Sequence, residues 1–365
     1  MKTSLLSRRA FAFLLGTLAL PFAALASNDN PGTVYTLSNA ASANRVLTFS
    51  RDAHGELSPA ASYPTGGRGT GAGLGSQGAL ALTQDGQWLL AVNAGSNDLS
   101  VFSVRHDALV LTDIAPSGGM RPISVTIADN LIYVLNAGGA AGSSDNISGF
   151  YLTQKGKLVA LPGSTRSLSA ANTAPAQISF ALRGDALVVT EKATSRVDAF
   201  VVDDDGRAGP VTWTPSAGST PFGFAVSAKG DLFVSEAVSS ALSSYGVNSS
   251  GTVSVISPSV INHQAAACWV TLSKDERFAY TANAASNSIS AYRINQDGSV
   301  SLVEPSGFSA AAPHPLDLNV SNDGRFLYAL TRGGVSVFEV GHDGSLTEAG
   351  SVSGLPASAA GLVAR

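Results

Sequence analysis

Residues 76–104 read SQGALALTQDGQWLLAVNAGSNDLSVFSV: a hydrophobic strand, an Asp-Gly turn, a second strand ending in Asn, a short polar turn, and a third alternating strand. The unit returns at 268–294 as CWVTLSKDERFAYTANAASNSISAYRI and at 315–340 as PLDLNVSNDGRFLYALTRGGVSVFEV. Period-two alternation bounded by turn residues marks strands, and Asp-Gly between two of them marks a hairpin. The end of the second strand recurs at Asn39, Asn93, Asn136, Glu191, Glu236, Asn283 and Thr331. Units spaced by about 49 residues, with four short strands each, stack radially as propeller blades. Seven markers therefore predict an all-β, seven-bladed β-propeller of four-stranded antiparallel blades.

Each blade is expected to run A to D from the axis outward. The A–B turns (Asp85-Gly86, Lys229-Gly230, Asp323-Gly324) and the C–D turns (His54-Gly55, Asp205-Gly206, Asp343-Gly344) then share one face. The B–C and D–A connections vary in length and fall on the opposite face, where a rigid scaffold places binding groups. The first blade begins at a B-like strand, 33–37, and the chain ends in Ala360-Gly361-Leu362-Val363-Ala364. That C-terminal strand is expected to become the inner strand of blade one and close the ring, leaving no exposed edge. Two connections stand out. Residues 65–78 (TGGRGTGAGLGSQG) hold seven glycines but lack the G-x-G-x-x-G spacing and precede a strand, so they read as a mobile rim or lid and not as a phosphate loop. Residues 138–146 lengthen the B–C connection of blade three.

The first 26 residues stand outside the repeat. Lys2, Arg8 and Arg9 precede an apolar run at 10–25, and Ala24-Leu25-Ala26 forms a small-x-small cleavage site. These features predict a signal peptide at 1–26 and one propeller domain at 27–365, periplasmic or secreted and not inserted in a membrane. Ser7-Arg8-Arg9-Ala10-Phe11 resembles the twin-arginine export motif, with Ala12-Phe13 where Leu-Lys is usual. Without the three signal-peptide cations, 19 Lys and Arg face 26 Asp and Glu. Such a chain offers no basic patch for nucleic acid, and a monomer is expected. Cys268 is the only cysteine, so no intramolecular disulfide can form. At the head of an inner strand it reads as a small buried hydrophobe.

Prolines 122, 175, 221 and 315 align the D–A junctions, and two residues further on stand Ser124, Gln177, Gly223 and Asp317, expected to point into the channel. Arg121, His263 and His314 lie at these junctions; Lys192 and Arg332 follow the B-strand ends. Asn at those ends is expected to bond neighbouring backbone and terminate the sheet. A carboxylate replaces Asn only in blades four and five. Facing a narrow channel, Glu191 would be desolvated and suited to act as a general base. Glu191 is thus the candidate catalytic residue. Arg121, Gln177, Lys192, Glu236, His263, His314, Asp317 and Arg332 are candidate binding residues, with Arg121, Lys192 or Arg332 available to a carboxylate or oxyanion. No cofactor motif is present. No acidic loop or His/Cys spacing argues for a metal, and Lys192 and Arg332 would oppose one.

The N-A-G-S-N-x-L/I-S-x-F/Y units, Asn93 to Phe102 and Asn283 to Tyr292, resemble those of the seven-bladed lactonase propellers, the group that contains 6-phosphogluconolactonase and fungal carboxymuconate cyclases. YVTN-type repeat propellers share them, as Tyr133-Val-Leu-Asn136 illustrates. The resemblance covers the mature chain and implies a small lactone or carboxylate-bearing ligand, hydrolysed or cyclised. The family's suspected catalytic stretch is Gly-Pro-Arg-His followed by Asn-Glu. Here it reads Ala174-Pro175-Ala176-Gln177 and then Thr190-Glu191, so the Glu is kept while the Arg and His are replaced. The family's Asp-Leu-Gly segment is likewise replaced, by Leu135-Asn136-Ala137-Gly138. A non-catalytic propeller that binds a protein, glycan or small ligand is the other reading, because one fold hosts many functions.

Overall fold

The computed structural model describes residues 32–106, 108–139 and 144–365. The expected signal peptide lies outside them. The described residues form seven antiparallel sheets in a ring, and their one helical element is a 3-10 turn, Leu182–Gly184.

Six blades use consecutive strands from inside to outside. Blade two is Leu80–Leu82, Trp88–Asn93, Asp98–Arg105 and Ala108–Pro116; blade three is Pro122–Ala128, Leu131–Asn136, Asn146–Leu152 and Leu158–Ala160. Blade four is Pro175–Ala181, Ala186–Glu191, Arg196–Val201 and Thr212–Pro215; blade five is Pro221–Val226, Asp231–Glu236, Ala241–Val247 and Val253–Ile261. Blade six is Ala267–Leu272, Phe278–Asn283, Ser288–Ile294 and Val300–Leu302; blade seven is Pro315–Val320, Phe326–Thr331, Gly334–Val340 and Leu346–Ser353. Blade one combines both ends of the described chain. Its inner strand is Ala360–Ala364, paired antiparallel with Gly32–Leu37, and Arg45–Arg51 and Leu57–Pro64 complete it. The closure predicted from sequence is therefore present. Here the repeat marker is shifted: Asn39 lies two residues past its strand, and Asn44 takes the buried position that bonds Asn93, Nδ2 to Oδ1 at 3.0 Å.

The cores lie between blades, where each sheet turns alternate side chains against its neighbour. Tyr133, Tyr245, Tyr280, Tyr292 and Tyr328 are fully buried there, and Tyr133 meets Phe180 of the next blade edge-on at 6.0 Å. The C–D turns lock this stacking. Gly344 (φ +89) sits so close to Phe278 of blade six that an added Cβ would lie 2.4 Å from its ring. Gly55 (φ +87) abuts Phe326 of blade seven in the same way. Both the left-handed backbone and the close approach require glycine, which explains the recurring X-Gly turns. At the seam, Arg51 of blade one is 3% exposed and bonds Asp323 of blade seven at 2.9 Å.

Removal of residues 354–365 deletes the inner strand of blade one and reopens the ring. The truncated protein is expected to melt at least ~10 °C lower than the intact one by differential scanning calorimetry. An unchanged melting temperature would refute closure by the C-terminus.

Candidate active site

The Gly-rich segment 65–78 is not a free lid. Its first half is fixed to the B–C turns of blades one and two: Gly69 and Gly71 donate to the carbonyls of Ala40 and Asn39, and the Gly95 N–H donates to Arg68 O. Its second half enters the funnel and plugs it. The Ser76 hydroxyl donates to Ile123 O, and the Gln77 N–H to Ala176 O. The Gln77 side chain reaches blade six across the axis, where Nε2 donates to Val270 O (2.7 Å) and Oε1 accepts the Val270 N–H (3.0 Å). Trp269 Nε1 donates to Ser76 O, and the Val125 N–H to Gly78 O. Gly223 makes room for this, since a Cβ there would lie 2.0 Å from Gln77 Oε1.

The residues two positions after the junction prolines do not line an open channel. Ser124 and Gln177 instead tie an inner strand to the next. Ser124 Oγ accepts the Ile178 N–H, and Gln177 exchanges two hydrogen bonds with the peptide of Phe224. Asp317 is 2% exposed and accepts the Leu318 N–H, and burial pushes its carboxyl well above the ordinary range. The inner strands do not pair with one another through a backbone ladder, so side chains satisfy the backbone groups that they leave free. Gln177 and Asp317 thus occupy structural positions, where the sequence alone placed them at the mouth.

Glu191 and Glu236 are fully buried and turned into the blade wall, not toward the funnel as expected. Glu236 accepts the hydroxyls of Ser243 and Ser259 at 2.5 and 2.6 Å. Glu191 accepts the Ser169 N–H (3.0 Å), the Ser169 hydroxyl (2.6 Å) and the Thr194 hydroxyl. These bonds repeat, with a carboxylate, what Asn93 and Asn283 do with an amide. Beside Glu191 lies the equally buried Asp198, whose Oδ2 accepts the same Ser169 N–H at 3.0 Å. Burial, and then a hydrogen bond to Glu191 and its charge, push the Asp198 carboxyl up to about 9. The raised Asp198 carboxyl thus stays protonated near neutral pH beside Glu191. Through Ser169 the pair anchors the connection that leads to Thr173 and Ala174.

That connection forms one wall of a cavity of about 200 Å³ on the B–C and D–A face, between blades three and four. Arg121, Ile123, Asp145, Pro175 and Lys192 line it, together with Leu74 of the plug. Arg121 stands in a left-handed conformation (φ 57), held by its N–H on Asn97 Oδ1 at 2.7 Å. Asp145 is 3% exposed, and its Oδ2 accepts both the N–H and the hydroxyl of Thr173 at 2.7 Å. Lys192 Nζ donates to Gly75 O at 2.5 Å and lies 4.8 Å above the Phe222 ring. Burial, with the Arg121 charge as a further cause, draws its amine down to about 8.

Of the nine candidates, Arg121 and Lys192 meet in this cavity. His263 and Arg332 are exposed and His314 is half-buried on the same face, and none of the three lines it. Asp145 escaped notice in the sequence; its signal was the lengthened B–C connection at 138–146. Cys268 is buried, and burial pushes its thiol up to about 12, which suits the hydrophobic role read for it. Among the described residues no three His, Cys, Asp or Glu gather as a metal site requires, and no helix is long and apolar enough to cross a membrane. A second opening of about 1130 Å³ lies at the opposite mouth, lined by Asp85, Phe180, Arg183 and Glu276.

Ring, plug and cation-bearing cavity define a propeller whose candidate site sits off its axis. The family model for the seven-bladed β-propeller lactonases matches residues 25–166 and 249–359, and the chain belongs to that family. The unmatched stretch contains blade four and most of blade five, and so the Lys192 side of the cavity, while the Arg121 side is matched. No curated protein matches the chain in sequence. Among solved structures, a periplasmic gluconolactonase of Pseudomonas aeruginosa is similar, with TM-score 0.73 and 15% identity over 92% of this chain and 99% of that one. Candidate 6-phosphogluconolactonases of Bacteroides fragilis (TM-score 0.70, 18% identity, 93% and 99% covered) and Bacteroides uniformis (0.73, 18%, 92% and 100%) are also similar. At these identities the likeness is one of fold.

The acid pair has a pH signature. Between about pH 4, where a free Asp titrates, and about pH 9, the folded protein holds a proton on Asp198 that the unfolded chain has released. Stability from this group therefore falls as pH rises through that window. Asp198→Asn keeps a donor for Glu191 and has no proton to lose. Its stability by urea titration is expected to fall less steeply from pH 5 to 9 than that of wild type, by up to about 1 kcal/mol per pH unit. Parallel curves would contradict a proton held on Asp198.

Proposed function

We propose that the protein is a periplasmic or secreted lactonase that hydrolyses a small lactone bearing an anionic group, bound in the cavity between blades three and four. The observation that carries this reading is the convergence of Arg121, Lys192 and Asp145 on a space of about 200 Å³. That volume suits one small ring and not a glycan chain or peptide. In this reading Asp145, oriented by Thr173, takes a proton from water as its oxygen attacks the lactone carbonyl. The cations of Arg121 and Lys192 hold the substrate's anionic group and the developing oxyanion. The ring C–O bond then breaks, and the alkoxide recovers the proton from Asp145. Glu191 acts at one remove, as the residue that positions the connection carrying Thr173.

The basic, apolar and small-x-small pattern of residues 1–26 supports export, as does the likeness to a protein titled a periplasmic gluconolactonase. The replacement of the family's Arg and His by Ala176 and Gln177 argues for a substrate other than 6-phosphogluconolactone. Ligand binding without catalysis has one observation in its favour, the wider opposite mouth of about 1130 Å³.

The test is a panel of small sugar and muconate-derived lactones, with the reverse cyclisations, assayed with and without EDTA. Asp145→Asn is expected to lower kcat by about 10²–10⁴-fold with little change in melting temperature, and Arg121→Gln to act mainly on KM. Glu191→Gln is expected to lower the melting temperature more than the turnover. Should Glu191→Gln abolish turnover in a protein of normal stability while Asp145→Asn stays active, the base is Glu191. If no lactone is turned over by wild type, the binding reading replaces this one.

A further inference from the structure

We infer that Lys192 makes this cavity a carbonyl-reactive site, able to take a small aldehyde or keto acid bearing a carboxylate as an imine on Nζ. The inference shares the cavity with the lactonase reading but not its chemistry. Lys192 is the one lysine of the described chain that lines this cavity; Lys155, Lys157, Lys229 and Lys274 do not. Its half-buried ammonium group lies between the plug, whose Gly75 carbonyl accepts one hydrogen bond, and the Phe222 ring below it. Leu74 and Ile123 add apolar wall, and Arg121 places a second cation in the same space. The groups that act on its charge are Arg121 and the buried thiol of Cys268, with Asp145 further along the lining.

A lysine desolvated beside another cation is the arrangement that leaves an amine unprotonated and nucleophilic near neutral pH. With the amine drawn down to about 8, pH 7 leaves on the order of 10²-fold more free base than an ordinary lysine has. Arg121 supplies the complementary half. Its planar guanidinium suits a carboxylate bound in bidentate fashion, which would hold an adjacent carbonyl within the same small cavity as Nζ. The amine lone pair attacks the carbonyl carbon, the C–O bond breaks, and the oxygen leaves as water with the two amine protons. A C=N bond remains, and no oxidant or reductant takes part.

The probe is glyoxylate at pH 7 with cyanoborohydride, which delivers hydride to the imine carbon and fixes it as a secondary amine. Peptide mass mapping then reads which lysine carries the carboxymethyl group. Lys192 is expected to be labelled at least about tenfold faster than Lys155, Lys157, Lys229 or Lys274, with half-maximal rate near pH 8. Arg121→Gln is expected to remove most of that preference, and Arg121→Lys, retaining a cation, to preserve part of it. Labelling of Lys192 no faster than the other lysines, or a rate that climbs only towards pH 10, would overturn the inference. A protein that labels at Lys192 yet hydrolyses no lactone defeats the lactonase reading alone. One that hydrolyses lactones without labelling defeats this inference alone.

Discussion

The inner strands of a propeller face one another around an axis, where no continuous backbone ladder can join them. Their polar edges must be satisfied by side chains. In this protein Ser124 joins blade three to blade four, and Gln177 joins four to five. Asn319 of blade seven accepts the Ala364 N–H of blade one. Between blades five and six the corresponding residue is Gly223; there the Ser235 hydroxyl meets the Gly223 and Cys268 carbonyls, and Gln77, from the connection before blade two, takes the free Val270 peptide of blade six. The space left by Gly223 and the reach of the Gln77 carboxamide, with the Ser76 and Gly78 contacts, close the funnel.

Everything notable about the candidate site follows from that closure. With residues 74–78 seated on the axis, the space left on the B–C and D–A face is displaced towards blades three and four. The plug supplies Leu74 to the cavity wall and Gly75 O to Lys192. It also covers part of the Lys192 amine, and this partial burial draws the amine down to about 8. The Glu191 and Asp198 pair works from below, holding Ser169 and through it the wall that ends in Thr173. Thr173 in turn orients Asp145. The cavity is thus built from three segments that are remote in sequence.

This division explains what could be read from the chain alone. Blade number, strand order and closure by residues 360–364 were legible because each is written in a local, repeated pattern of alternation and turn residues. The site was legible only in part. Arg121 and Lys192 could be placed on the correct face from their positions at a junction and a strand end. Glu191 was read as facing the funnel because Glu departs from Asn at that position. Yet the repeat uses the side chain there to bind the adjoining strand, and a carboxylate accepting from Ser169 and Thr194 performs that task as an amide does. Asp145 gave no signal, since its meaning depends on Thr173 and on the plug. Seven glycines in one loop suggested mobility, whereas several of them serve close approach, as at Gly69, where a Cβ would lie 2.2 Å from the Asn39 backbone.

In the proposed reading the ligand lies off the axis, against the plug, and not in the wider mouth on the opposite face. A crystal structure with a non-hydrolysable sugar lactam tests it most directly. The account predicts density for the lactam between Arg121, Asp145 and Lys192, with its ring against Leu74. Density among Phe180, Arg183 and Glu276 instead, with the cavity between blades three and four empty, would contradict it.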